Sequence, residues 1–151
     1  MANEVSELEA HLGYWLRMVS NSVSQAFARR LVAGGVTVAE WVMLREMFDV
    51  AELAPSELAE RTGLTRGAVS KLVERLVEKK LVRRDAADDD GRSQRVALTG
   101  AGRRVVPKLA AQADENDEEF FAALSKAERE VLRALMKKLV RTNGLNRKPI
   151  E

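Results

Sequence analysis

The side chains with most to offer lie between Thr65 and Thr99, in the run TRGAVSKLVERLVEKKLVRRDAADDDGRSQRVALT. Arg66, Ser70, Lys71 and Arg75 fall on one side of a helix, whereas Val69, Leu72, Val73, Leu76 and Val77 share the other. Guanidinium and ammonium groups only donate hydrogen bonds, and a serine hydroxyl donates as well as accepts. On the first turns of a helix, such groups suit phosphate oxygens and the acceptor edges of bases. Thr65 stands at the N-cap and belongs to the same set. Gly67 and Ala68 are small enough for close backbone approach, and the helix N-terminus itself favours a phosphate. Glu74 opposes a polyanion unless it accepts from a cytosine amine or pairs with a neighbouring basic group.

A second group of donors follows. Leu81-Val82-Arg83-Arg84 and Arg95-Val96-Ala97-Leu98 read as short strands flanking an acidic loop tipped by Asp90-Gly91-Arg92. Arg92 is placed where a narrow minor groove attracts a guanidinium, and Asp90 is close enough to orient it. Arg84 and Arg95, beside the loop, suit phosphates. A calcium loop is rejected. Aligning Gly91 with the glycine of an EF-hand loop puts Ala86 and Ala97 where carboxylates are required.

These donors need a scaffold. The turn Thr62-Gly63-Leu64 joins a brief helix, Pro55 to Thr62, to the helix beginning after Thr65 and running to about Lys80. Proline suits the first helical position, and Gly63 supplies a positive φ for the tight turn. The result is helix-turn-helix spacing, in which the second helix enters the major groove. Upstream, Leu8, Leu12, Trp15, Leu16, Val19, Val23, Phe27 and Leu31 form one apolar stripe, predicting a helix from about Glu4 to Leu31. Thr37 and Glu40 read as a capping box for a second helix, which buries Leu44 and Met47; Ser125 and Glu128 read as another for the last helix. Thr99 opens a long fifth helix with a bend expected at Pro107, and Asn143-Gly144 ends the sixth. The fold class is mainly α with a small β-hairpin.

Composition narrows the function. The chain has 151 residues, 46% of them hydrophobic, sufficient for a core in a single domain. It has no cysteine, which removes disulfides, thiolate metal sites and a thiol redox switch. No apolar run is long enough to span a membrane, and the opening MANEVSELEAHLGYW lacks the form of a signal peptide; a cytoplasmic location is expected. Between Pro55 and Arg104, Lys and Arg number 12 against 8 Asp and Glu, a balance of +4; the remainder, 13 against 15, carries −2. One histidine and no glycine-rich phosphate loop leave an enzyme short of parts, and Glu118-Glu119 reads as a solvated face. No cofactor and no metal are expected.

Several stretches together resemble the MarR family of bacterial transcription regulators: Ser56 to Leu64, Val69 to Val73, Leu81 to Arg84, and above all Asp90-Gly91-Arg92-Ser93-Gln94-Arg95-Val96-Ala97-Leu98-Thr99 closing at Gly102. The resemblance covers nearly the whole chain. It implies a winged helix-turn-helix region in an all-helical homodimer of triangular shape. Residues 1–35 and 121–151 would supply the dimerisation helices, 36–104 the DNA-binding region and 99–121 a long linking helix. It implies that Arg92 is the wing-tip arginine of the minor groove and Asp90 its partner. It also implies a repressor that leaves its DNA on binding a small aromatic or phenolic molecule, in a pocket between the first two helices and the winged lobe; His11, Tyr14, Trp15 and Arg45 are the candidates there. The family's cysteine-based peroxide sensing is closed to this chain. A two-fold dimer predicts a near-palindromic double-stranded operator. The rival reading, a winged-helix module that docks a protein without direct operator binding, calls for an apolar exposed face on the fourth helix, where the sequence places charge.

Overall fold

The computed structural model describes residues 4–86 and 94–151. A turn of 3-10 helix at Leu8–Ala10 precedes α1 (Leu12–Val32), α2 (Val38–Phe48), α3 (Pro55–Thr62), α4 (Arg66–Glu78), the strands β1 (Val82–Ala86) and β2 (Gln94–Leu98), α5 (Gly100–Phe120) and α6 (Lys126–Thr142). The first helix is therefore shorter than its apolar stripe predicts. His11 has extended backbone angles, φ −94 and ψ 127, which interrupt the helical ladder, and its N–H closes the 3-10 turn on Leu8 instead.

Side-chain caps set most of the other boundaries. The Thr37 hydroxyl accepts from the Glu40 N–H at 3.1 Å and starts α2. The reciprocal half of that expected capping box does not form, because the Glu40 carboxylate crosses to Lys79 on the end of α4. At Ser125 both halves are present: Ser125 Oγ accepts from the Glu128 N–H at 3.1 Å and the Ser125 N–H donates to Glu128 Oε1 at 2.9 Å. The bonds from Ser125 hold the Glu128 carboxyl below the usual carboxylate range. Gly63 closes α3 with φ 69, as its turn requires. Helix α4 stops at Glu78, two residues short of expectation, where Lys80 takes up φ 62, a left-handed conformation in a residue that is not glycine.

The hairpin is antiparallel, in register from Val82 opposite Leu98 to Ala86 opposite Gln94. Leu53, ahead of α3, adds an isolated antiparallel bridge to β2. Its N–H donates to the Val96 carbonyl at 2.9 Å, and the Val96 N–H returns to the Leu53 carbonyl at 2.7 Å. Thr99 joins hairpin to helix. Its hydroxyl donates to the Lys80 carbonyl at 2.7 Å and accepts from the Gly102 N–H at 3.1 Å. Glycine is required at 102, since a Cβ there would stand 2.1 Å from the Leu81 carbonyl oxygen. Helix α5 continues through Pro107 to Phe120.

One core lies beneath this arrangement. Met43, Leu44 and Met47 of α2, Leu58 of α3, Val69, Val73 and Leu76 of α4, Val96 and Leu98 of β2, and Val106 and Leu109 of α5 are all buried together. The long helices at the chain's two ends differ. On α1, Leu12, Leu16 and Val19 are exposed, and on α6 so are Val131, Leu135, Met136, Leu139 and Val140. Contiguous exposed apolar stripes of this kind mark surfaces that meet another molecule.

Candidate nucleic-acid interface

The turn between α3 and α4 is built to hold α4 at a fixed angle. Thr62 is buried, its hydroxyl donating to the Leu58 carbonyl at 2.7 Å and lying 3.3 Å from the Leu64 N–H. Leu64 seals the underside. Thr65 caps α4 by accepting from the Ala68 N–H at 3.1 Å, which leaves its hydroxyl proton available to a phosphate. Val69, Leu72, Val73 and Leu76 then bury one face, and this burial forces the opposite face outward.

That outer face carries Arg66, Ser70, Lys71, Glu74 and Arg75, all exposed. Among the described residues no ion pair occupies Arg66, Lys71 or Arg75. A Cβ on Gly67 would meet nothing within 4 Å, so the first turn presents bare backbone to solvent. The predicted donors of α4 are thus brought together on one surface.

The hairpin donors divide. Arg84 is exposed on β1, opposite Val96. Arg95, expected at a phosphate, is turned toward α3 in the absence of DNA. Its Nε lies 3.3 Å from Glu52 and its NH1 3.2 Å from Glu57. The two carboxylates neutralise it, because both stand on the side of the hairpin that faces α3. Asp90 and Arg92 lie outside the described residues.

Of the ligand-site candidates, Tyr14 and Trp15 meet edge to face with ring centroids 5.2 Å apart. Their polar neighbours are engaged locally. The Trp15 indole N–H donates to the Glu9 carbonyl at 2.9 Å, and His11 Nδ1 lies 3.2 Å from the Leu8 carbonyl oxygen. Arg45 pairs with Asp49 at 2.8 Å and sits over the Phe48 ring. The four do not form one constellation by direct hydrogen bonds. A cleft of about 480 Å³ opens elsewhere, between α1 and α5, lined by Ala26, Arg29, Arg30, Asn116, Glu119 and Phe120. Arg30 and Asn116 had no motif to betray them; the only sequence signal is a polar residue on the inner side of an amphipathic helix.

Three further residues were not legible as part of the site. Glu40 is buried and its Oε2 lies 2.6 Å from Lys79 Nζ, which also donates to the Gly35 carbonyl at 2.8 Å. Together they fix the far end of α4 to the start of α2. Arg103 donates to the Phe48 and Val50 carbonyls at 3.1 and 2.9 Å and pins α5 to the approach to α3.

A helix-turn-helix with an antiparallel hairpin behind it and a bridge from Leu53 to β2 defines a winged helix-turn-helix protein. Residues 34–93 match the model of the MarR family. Over 138 residues the chain is 31% identical to the proposed transcriptional regulatory protein for the hcr operon of Thauera aromatica, covering 91% of this chain and 83% of that one. It is 28% identical over 131 residues to an HTH-type transcriptional repressor of Mycobacterium tuberculosis, 87% of this chain and 94% of the relative. Among solved structures, a mutant of Escherichia coli MarR complexed with operator DNA superposes with a TM-score of 0.76 at 25% identity, covering 85% of this chain and 93% of that one. The chain belongs to the MarR family of transcriptional regulators. It is a regulator by family and not an enzyme. Among the described residues no helix is long and apolar enough to cross a membrane.

Proposed function

We propose that this chain is a homodimeric repressor that reads a near-palindromic operator with α4 and grips the flanking minor groove with its wing. The observation that carries the reading is the outer face of α4. Three cations, a hydroxyl and an open glycine share it with Glu74, and among the described residues no ion pair occupies the cations. Arg66, Ser70 and Lys71 face base edges or phosphates, Thr65 and Arg75 hold the backbone, and Arg84 follows the phosphates toward the wing. Arg92, oriented by Asp90, enters the minor groove. Arg95 serves by holding the hairpin against α3. The E. coli MarR complex with operator DNA and the M. tuberculosis repressor support both the DNA partner and the sign of regulation.

The exposed stripes of α1 and α6 support the dimer, with residues 1–35 and 121–151 as its helices, 36–104 reading DNA and 99–121 linking the two. Burying a side chain such as Leu135 or Leu139 is worth roughly 1.5–3 kcal/mol, so a few such residues offset much of the cost of association. A small aromatic or phenolic effector would bind near His11, Tyr14, Trp15 and Arg45. The exposed ring face of Trp15 and the Arg45 guanidinium support that chemistry.

A gel shift with the DNA upstream of the chain's own gene, repeated with aromatic acids, tests the proposal. The native chain shifts the duplex, Arg92→Ala weakens the shift strongly without splitting the dimer, and one of the acids releases the DNA. Full affinity in Arg92→Ala would remove the wing from the interface.

A further inference from the structure

We propose that the segment following α6 is a tether that sets the position of the helix-turn-helix turn, with Lys148 and Ile150 as its positioning residues; this rests on the reading of α4 as the DNA-reading helix and α6 as a dimer helix. Gly144, at φ 62, ends α6 and turns the chain back. The Lys148 N–H then donates to the Thr62 carbonyl at 2.7 Å. Thr62 is the last residue of α3, and its carbonyl is one of those a helix end leaves without an internal partner. Lys148 Nζ lies 3.3 Å from Glu46 on α2, and Ile150 is half-buried against the core of the winged lobe. The approach is close: a Cβ on Gly63 would stand 2.8 Å from the Arg147 Cα and 2.9 Å from the Asn146 carbonyl oxygen. Gly63 is therefore needed twice, for its backbone angles and for the strand of chain crossing its outer side.

The other end of α6 is also fixed. Arg129 reaches Glu118 on α5 at 2.8 Å and the Phe121 carbonyl at 3.1 Å. Between these anchors the apolar face of α6 is open. A helix anchored near both ends and covered by a second copy along its middle would transmit its placement to what it is tied to. Here that is the junction that aims α4. The tether thus sets how far apart the two α4 helices of a dimer stand, which fixes the half-site spacing the dimer accepts.

The test compares the native chain with Lys148→Pro/Ile150→Ser, which removes the donating N–H and the apolar anchor. Both proteins are titrated against an operator selected with the native chain, and against the same operator with its half-sites moved one base pair closer or farther. The native chain prefers the selected spacing. The double variant keeps its fold and its dimer, melts somewhat lower for the loss of the Ile150 packing, and loses about fivefold or more of that preference. Lys148→Ala keeps the N–H and loses only a partly exposed ion pair, so it retains the preference. Ile150→Ala, a milder cut, is scored the same way if the double variant does not fold. Undiminished spacing preference in a folded dimeric variant overturns the tether alone. Failure of the native chain to select any duplex overturns the reading of α4 and the tether with it.

Discussion

The Glu40 carboxylate, almost wholly buried, meets the half-exposed Lys79 ammonium at 2.6 Å, joining the start of α2 to the end of α4. The two partners are unequal in what they leave behind. Removing Lys79 strands a carboxylate away from water, whereas removing the charge of Glu40 leaves an ammonium that reaches solvent. Lys79→Ala is therefore expected to cost about 3 kcal/mol of unfolding free energy and Glu40→Gln about 1 kcal/mol. Urea denaturation of both variants checks the order, and equal losses would mean the pair is not desolvated as described.

Gly67 separates folding from binding. It lies in the first turn of α4 with open space where a Cβ would go. Gly67→Ala is expected to stabilise the protein by about 0.5–1 kcal/mol while lowering affinity for operator DNA, because in the proposed docking the methyl would stand where the helix approaches the duplex. Thermal melts and a binding titration on the same preparation decide it. Affinity unchanged by the methyl would move the contact away from that turn.

The helix-turn-helix could be read from residues because each signal is local: Pro55 at a helix start, Gly63 at a positive φ, Thr65 as a cap, and a clean division of apolar and charged faces along α4. The full capping box at Ser125 was legible for the same reason. The contacts that orient the site were not. Glu40 carries the mark of a capping box, yet its side chain is taken by Lys79, 39 residues away. Arg95 has the composition of a phosphate ligand, yet Glu52 and Glu57 fold against it. Leu53 lies outside any strand pattern and pairs with Val96 through tertiary placement. Such pairings are decided by which elements meet, and no short spacing encodes that.

Lys71 and Arg95 should differ in their response to salt. Lys71 is exposed on the outer face of α4, whereas Arg95 is engaged by two carboxylates. Lys71→Ala is expected to reduce the slope of log affinity against log salt by about one. Arg95→Ala is expected to weaken binding with the slope nearly intact, since it frees the hairpin without removing a phosphate contact. A reduced slope in Arg95→Ala would return that residue to the phosphates.

Lys80 offers a gain in stability. It closes α4 at φ 62, where a side chain is disfavoured and glycine is at home. Lys80→Gly is expected to add about 0.5–1 kcal/mol, the relief of the left-handed backbone outweighing the entropy of glycine in the unfolded chain. A rise in melting temperature checks it, and a fall would mean that the lysine side chain is itself held.

Two copies of the exposed α4 face are expected to read one duplex together. Selection from a pool of random duplexes, with the bound species weighed by analytical ultracentrifugation, decides this. The expected result is an enriched inverted repeat with half-site centres about one helical turn, roughly 10 base pairs, apart, carried by a protein dimer. A single unrepeated motif held by one copy, or no enrichment at all, would contradict it.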